Sequence, residues 1–147
     1  MANFGADIRR FARVTGQTMD RTIRAVQLQA IELVIEKTPV DTGQARGGWH
    51  TSIGEPSTRV GGVKDKGGTA TIARGRHDAS ITGSIFYVVN NLPYISVLEF
   101  GGYGTGPGAT QKTTRDGYSV QAPEGMVRIS VIEIKAAIRR TIRDAQR

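Results

Sequence analysis

Ser84-Ile85-Phe86-Tyr87-Val88-Val89-Asn90-Asn91, followed at once by Leu92-Pro93-Tyr94-Ile95-Ser96-Val97-Leu98-Glu99-Phe100-Gly101, is the stretch that decides the fold class. Its first half is β-branched and aromatic and stops at two turn-forming asparagines, which predicts a strand placed centrally in a sheet. Its second half carries proline at a helical N1 position and Gly101-Gly102 at the end, which predicts a helix of about two turns. Strand and helix therefore follow each other directly, and the class expected is α+β.

Downstream, Gly101 to Gly117 is glycine-rich and without apolar periodicity, so it reads as a long loop. From Glu124 to Ala145 the residues Val127, Val131, Ile134, Ile138 and Ile142 fall at helical spacing, which predicts a C-terminal helix. The alternation in Val127-Arg128-Ile129-Ser130-Val131 also fits a strand for its first turns. Upstream, Gly47 to Gly54 places Trp49, Thr51 and Ile53 on one side, as a half-buried strand would. Glu55 to Gly68 reads as an exposed loop or wide hairpin connection, and Thr69-Ala70-Thr71-Ile72-Ala73 fits a strand or a short helix equally well.

Further back, Pro39-Val40-Asp41-Thr42-Gly43 reads as a turn, with Asp41 placed to cap it or the segment after it. From Asp7 to Lys37, Ile8, Phe11, Met19, Ile23, Val26, Ala30 and Leu33 recur at helical spacings. The helix ends near Glu36 or Lys37, since the residue before Pro39 is pushed out of the α region, and Thr15-Gly16 is a weak point within it. The expected architecture is a long N-terminal and a C-terminal helix packed on a small, mainly antiparallel sheet, in one domain spanning 1–147.

A chain of 147 residues suits one domain burying roughly 70% of its unfolded surface. There is no run of about 18 apolar residues and no secretory pattern at Met1-Ala2-Asn3-Phe4, so a soluble protein made in the cytoplasm is expected, with no membrane contact. Cysteine is absent, and His50 and His77 are the only imidazoles, which excludes disulfides and thiolate chemistry and leaves little for a metal. The net charge is +7 and uneven. Five arginines lie between Arg9 and Arg24 against Asp20 alone, and six basic residues follow from Arg128 against Glu133 and Asp144. Such faces either are solvated, or pair with acids of a neighbouring subunit, or attract nucleic acid through counterion release.

Catalytic patterns are weak. Gly106-Pro107-Gly108-Ala109-Thr110-Gln111-Lys112-Thr113 resembles a phosphate-binding loop but has Gln111 where the motif needs glycine, and no strand leads into it. No serine sits in a Gly-x-Ser-x-Gly elbow. His77 lies in the polar run Arg74-Gly75-Arg76-His77-Asp78 and is expected in solvent. His50, on the strand face opposite Trp49, is expected to face solvent or a partner. Asp41 and Glu99 are the only acids beside well-formed turn or helix signals. Trp49 is expected in the core, with a base-stacking platform as the sharper alternative. No enzymatic activity and no cofactor are expected.

Three ordered blocks carry a family resemblance. Thr38-Pro39-Val40-Asp41-Thr42-Gly43 with Ala45-Arg46 and Trp49 comes first. Asn90-Asn91-Leu92-Pro93-Tyr94 with Leu98-Glu99 and Gly101 comes second, and Gln121-Ala122-Pro123-Glu124-Gly125-Met126-Val127 third. Together they resemble the tail-completion, tail-terminator and head–tail joining proteins of long-tailed siphophages, over roughly residues 5 to 145.

The resemblance implies a structural virion protein of the phage neck, made in the host cytoplasm. Its subunits would form a ring, often hexameric, at the head-proximal end of the tail. As partners it implies further copies of the chain, the tail tube protein and the head-completion or connector protein, with non-specific contact to DNA passing through the ring. The residues Asp41, Thr42, Gly43, Arg46, Trp49, Asn90, Asn91, Pro93, Tyr94, Glu99, Gly101, Gln121 and Pro123 carry over as structural or interface positions, without a catalytic role. Scattered acids such as Glu32, Glu36 and Glu99 could then complement a basic helix face on a neighbour. In many relatives the Leu-Glu-x-Gly helix runs almost directly into the Gln-Ala-Pro block. Here Gly102 to Tyr118 intervenes as a variable docking loop. A basic DNA-binding or DNA-packaging accessory protein is the alternative reading.

Overall fold

The structure, a computed structural model, describes residues 4–79, 85–102 and 117–145. Within them the chain is α+β, with helices packed on a small antiparallel sheet. The elements in order are α1 (Phe4–Lys37), α2 (Gln44–Gly47), β1 (Trp49–Ile53), α3 (Thr69–Asp78), β2 (Phe86–Asn90), α4 (Ile95–Phe100) and α5 (Val127–Ala145).

α1 has 34 residues, or about 51 Å at 1.5 Å per residue, and it passes through Thr15-Gly16 without interruption. It ends where Pro39 requires. Among its described side chains the buried ones are Gln27, Ile31, Val34 and Ile35, offset from the expected stripe, since Val26, Ala30 and Leu33 are half-buried and Met19 and Ile23 exposed. The reason is that α1 is contacted by α3 and β2 and also by α5, so two neighbouring stripes share the burial.

β1 and β2 pair antiparallel, with Trp49 opposite Asn90, Thr51 opposite Val88 and Ile53 opposite Phe86. The Gly54 amide extends the ladder to the Ile85 carbonyl at 2.8 Å. β2 is not central as expected, because the described sheet has two strands. Its unbroken apolar run reflects partial cover over every residue, all five being half-buried. Thr69–Asp78 is a helix. The start of α5 is helical too, although Val127-Arg128-Ile129-Ser130-Val131 alternates.

Pro93 is not at N1. The Ile95 amide first bonds the Leu92 carbonyl at 3.0 Å, a tight turn that delays α4 until Ile95 with Tyr94 at its N-cap. Gly101 does end α4, in a positive-φ conformation with φ 78°. The core joins Ile31, Val34 and Ile35 of α1 to Ala45, Trp49, Ala79, Leu98 and Met126. Most of the Gly101–Gly117 loop, including the Gly106–Thr113 segment, lies outside the described residues.

Candidate functional site

The region around residues 38–49 is where the three sequence blocks meet. Thr38, just past α1, is buried, and its hydroxyl donates to the Val34 carbonyl at 2.6 Å and accepts from Trp49 Nε1 at 2.8 Å. Trp49 thus fills the core with its ring and satisfies its only donor there, as a buried indole must. Arg46 runs back to the end of α1, donating to the carbonyls of Thr38 and Glu36 at 2.9 Å each and to Lys66 at 2.8 Å. A guanidinium at these free carbonyls completes the helix terminus and complements its dipole.

The turn that carries Asp41, Thr42 and Gly43 is closed differently from the expectation. Thr42 Oγ1, not Asp41, accepts a backbone bond here, from the Gln44 amide at 3.3 Å. Asp41 is exposed and lies close enough to Tyr94 that its charge, after burial of the ring, raises the Tyr94 hydroxyl pKa. Gly43 has φ 88°, and its carbonyl accepts from both the Gly47 and Asp65 amides. A Cβ there would lie 2.6 Å from the Lys66 nitrogen, so only glycine fits.

The second block reaches the first through Asn90, whose side chain donates to the Ala45 carbonyl at 2.9 Å and accepts from the Leu92 amide. Asn91 donates to the carbonyls of Ser57 and Arg59 at 2.8 and 2.9 Å, which pins the 57–63 loop over the sheet. His50 lies beneath that loop. It is buried and donates from Nε2 to the Gly61 carbonyl at 2.5 Å, so it does not face solvent. The loop comes this close because Gly62 crosses Gly47, where a Cβ on either glycine would meet a backbone oxygen at about 2 Å. Pro93 is exposed in its turn.

The third block closes the set. Gln121 forms a reciprocal pair with the Val40 backbone, accepting from its amide at 2.8 Å and donating to its carbonyl at 2.9 Å. Pro123 is exposed and leads through Gly125 into α5. Gly125, at φ 83°, passes against α4 so closely that a Cβ would lie 2.5 Å from the Glu99 carbonyl oxygen.

Glu99 is the most constrained charge of the region. It is buried, and Oε2 accepts from the Met126 and Val127 amides at 2.8 and 2.7 Å, while Oε1 accepts from the Arg128 amide at 3.0 Å and Arg128 Nε at 3.1 Å. Burial alone would raise its pKa. The amide and guanidinium hydrogen bonds reverse that and hold the carboxyl below its ordinary range. Arg128 also lies over the Phe100 ring, 5.2 Å from its centroid, and donates to Tyr118. Both Glu99 carboxylate oxygens are thus taken up by the start of α5 and Arg128, and Asp41 is not among their partners.

Several residues of this framework were not singled out from sequence. Asp65 accepts from the Gly68 and Thr71 amides at 2.9 and 2.8 Å and from the Thr71 hydroxyl, capping α3 from outside. An Asp shortly before a glycine and a threonine pair was the available signal. Arg74 donates to the carbonyls of Gly47 and Trp49 at 3.3 and 3.1 Å, and Arg128 joins α4 to α5. Nothing local marked either arginine. The acids proposed for a complementary face are partly engaged within the chain: Glu32 pairs with Arg76 and Glu99 with Arg128, while Glu36 is exposed. Exposed His77 lies 3.5 Å from Asp78. Among the described residues no group of three or more His, Asp or Glu side chains could hold a metal ion, and no helix is long and apolar enough to cross a membrane.

Comparison of the chain with protein-family models, with curated proteins and with solved structures found no match in any of the three.

Proposed function

We propose that this chain is a structural subunit of the neck of a long-tailed phage. It would form a ring at the head-proximal end of the tail that completes the tail and joins it to the head-completion proteins. One observation carries the reading. The three blocks on which the resemblance rests, up to 81 residues apart, are tied to one another by Gln121–Val40, Asn90–Ala45 and the Glu99 cap on α5. Residues that recur together in order as a family motif are expected to form one framework, and these do.

The chemistry of the framework supports a structural rather than a catalytic role. Arg46, Asn90, Asn91, Glu99 and Gln121 direct their polar atoms at backbone groups, which fixes loops and helix ends. What remains for partners is the exposed periphery, including Asp41, Tyr94, Phe100, Val120 and Glu124 beside the third block.

Light scattering of the purified chain at low and high salt, with and without tail tubes, tests the proposal. A discrete ring of 15.8 kDa subunits, or a monomer that assembles only on tail tubes, is the result expected. A monomer at every salt concentration that ignores tail tubes would overturn it and leave the DNA-packaging accessory reading.

A further inference from the structure

All of the chain's net charge resides in two helical segments. Residues 9–24 and 135–145 contain five arginines of α1 and Lys135, Arg139, Arg140 and Arg143 of α5, against Asp20 and Asp144, and so account for the whole of +7. The rest of the chain has as many acids as bases. The two segments are far apart in sequence, but the helices that carry them pack against each other, and Lys37 at the end of α1 meets Glu133 of α5 at 2.7 Å.

On α1 the arginines are also aligned. At 100° per residue, Arg10, Arg13, Arg21 and Arg24 fall within an arc of about 80°, on a ridge about 21 Å long. That ridge continues the side of the helix which farther along buries Ile31 and Ile35. Along it, residues 18–25 are all exposed. Every cation between Met1 and Glu36 is arginine, whose planar fork matches phosphate oxygens better than an ammonium does.

From this we infer that the arginine ridge of α1 is a contact surface for the phosphate backbone of duplex nucleic acid, bound without regard to base sequence. A second copy of the chain is a poorer occupant. Its charges outside the two segments balance, and among the described residues Glu32, Asp65, Glu99 and Glu133 already hold partners within the chain. An anionic membrane is also a poorer occupant. The side of α1 opposite the ridge is interrupted by Thr15 and Thr22, leaving a thin apolar stripe to enter a bilayer. The inference stands on the charge distribution and not on the neck reading: oligomeric state tests that one, and duplex binding tests this one.

The experiment is fluorescence anisotropy of a labelled duplex of arbitrary sequence with the full chain, between about 50 and 200 mM salt. Binding that weakens steeply with salt is expected, with a log–log slope of magnitude about 3 to 4 for four phosphate contacts. Arg21→Gln with Arg24→Gln should lower that magnitude by about 2. Both residues are exposed, so the far-ultraviolet circular dichroism should not change. Lys64→Gln with Lys66→Gln removes the same charge from an exposed loop elsewhere and should leave the slope nearly as it was. Equal effects from the two pairs, an unchanged slope in the arginine pair, or no duplex binding at low salt would overturn the inference. So would binding to phosphatidylserine vesicles in preference to duplex, which would identify a membrane surface instead.

Discussion

Glu99 holds the N-terminus of α5 through Val127, whose amide lies 2.7 Å from Glu99 Oε2. The cap comes from another helix 28 residues earlier, so it fixes α4 against α5 as well as satisfying free amides. Glu99→Gln keeps the size but replaces one acceptor oxygen by a donor facing donors. We expect a loss of about 2–4 kcal/mol in urea-induced unfolding, since a buried partner is left unpaired. A loss below about 0.5 kcal/mol would mean that the cap is dispensable.

The same carboxylate sets a pH dependence. For both Glu99 and Asp65, burial raises the pKa and backbone hydrogen bonds outweigh it, so the folded value lies below the unfolded one. Stability from these groups is therefore full above the ordinary carboxylate range and is lost as pH falls through it toward the depressed folded values. Melting temperature should decline through that acidic window, and Glu99→Gln should decline less steeply than the parent chain. Parallel curves would remove Glu99 from the effect.

Gln121→Ala deletes both bonds to Val40 at an exposed position. Water can replace part of what is lost, so a cost of about 1 kcal/mol is expected. Amide hydrogen exchange at Val40 should quicken while core amides such as Ile35 stay protected. Uniform quickening across the chain would show that the pair supports the whole fold rather than the join between blocks.

Two glycines should respond with opposite signs. At Gly62 a Cβ would lie 2.0 Å from the Gly47 carbonyl oxygen, so Gly62→Ala must lift the loop from the sheet, at a cost of about 3 kcal/mol or more. At Gly16 nothing lies within 4 Å of the added carbon, and the site is inside α1. Gly16→Ala should raise stability by roughly 0.5–1 kcal/mol. Thermal unfolding of the two variants, scanned together, checks both signs.

The sequence by itself determined the elements whose cause is local. Helical spacing and Pro39 delimit α1, β-branched residues and Asn90-Asn91 mark β2, and Gly101 ends α4. Its three blocks also named most of the residues that tie the fold together. Tertiary structure alone decided who meets whom. The Asp65 cap on α3 is local, three to six residues away, whereas His50 was covered by a loop that only the crossing of Gly47 and Gly62 allows. Glu99 found its partners at the start of α5. The contacts of His50 and Glu99 join residues 11 to 29 apart, and periodicity, which compares near neighbours, encodes that a side chain is placed to pair but not with which distant group.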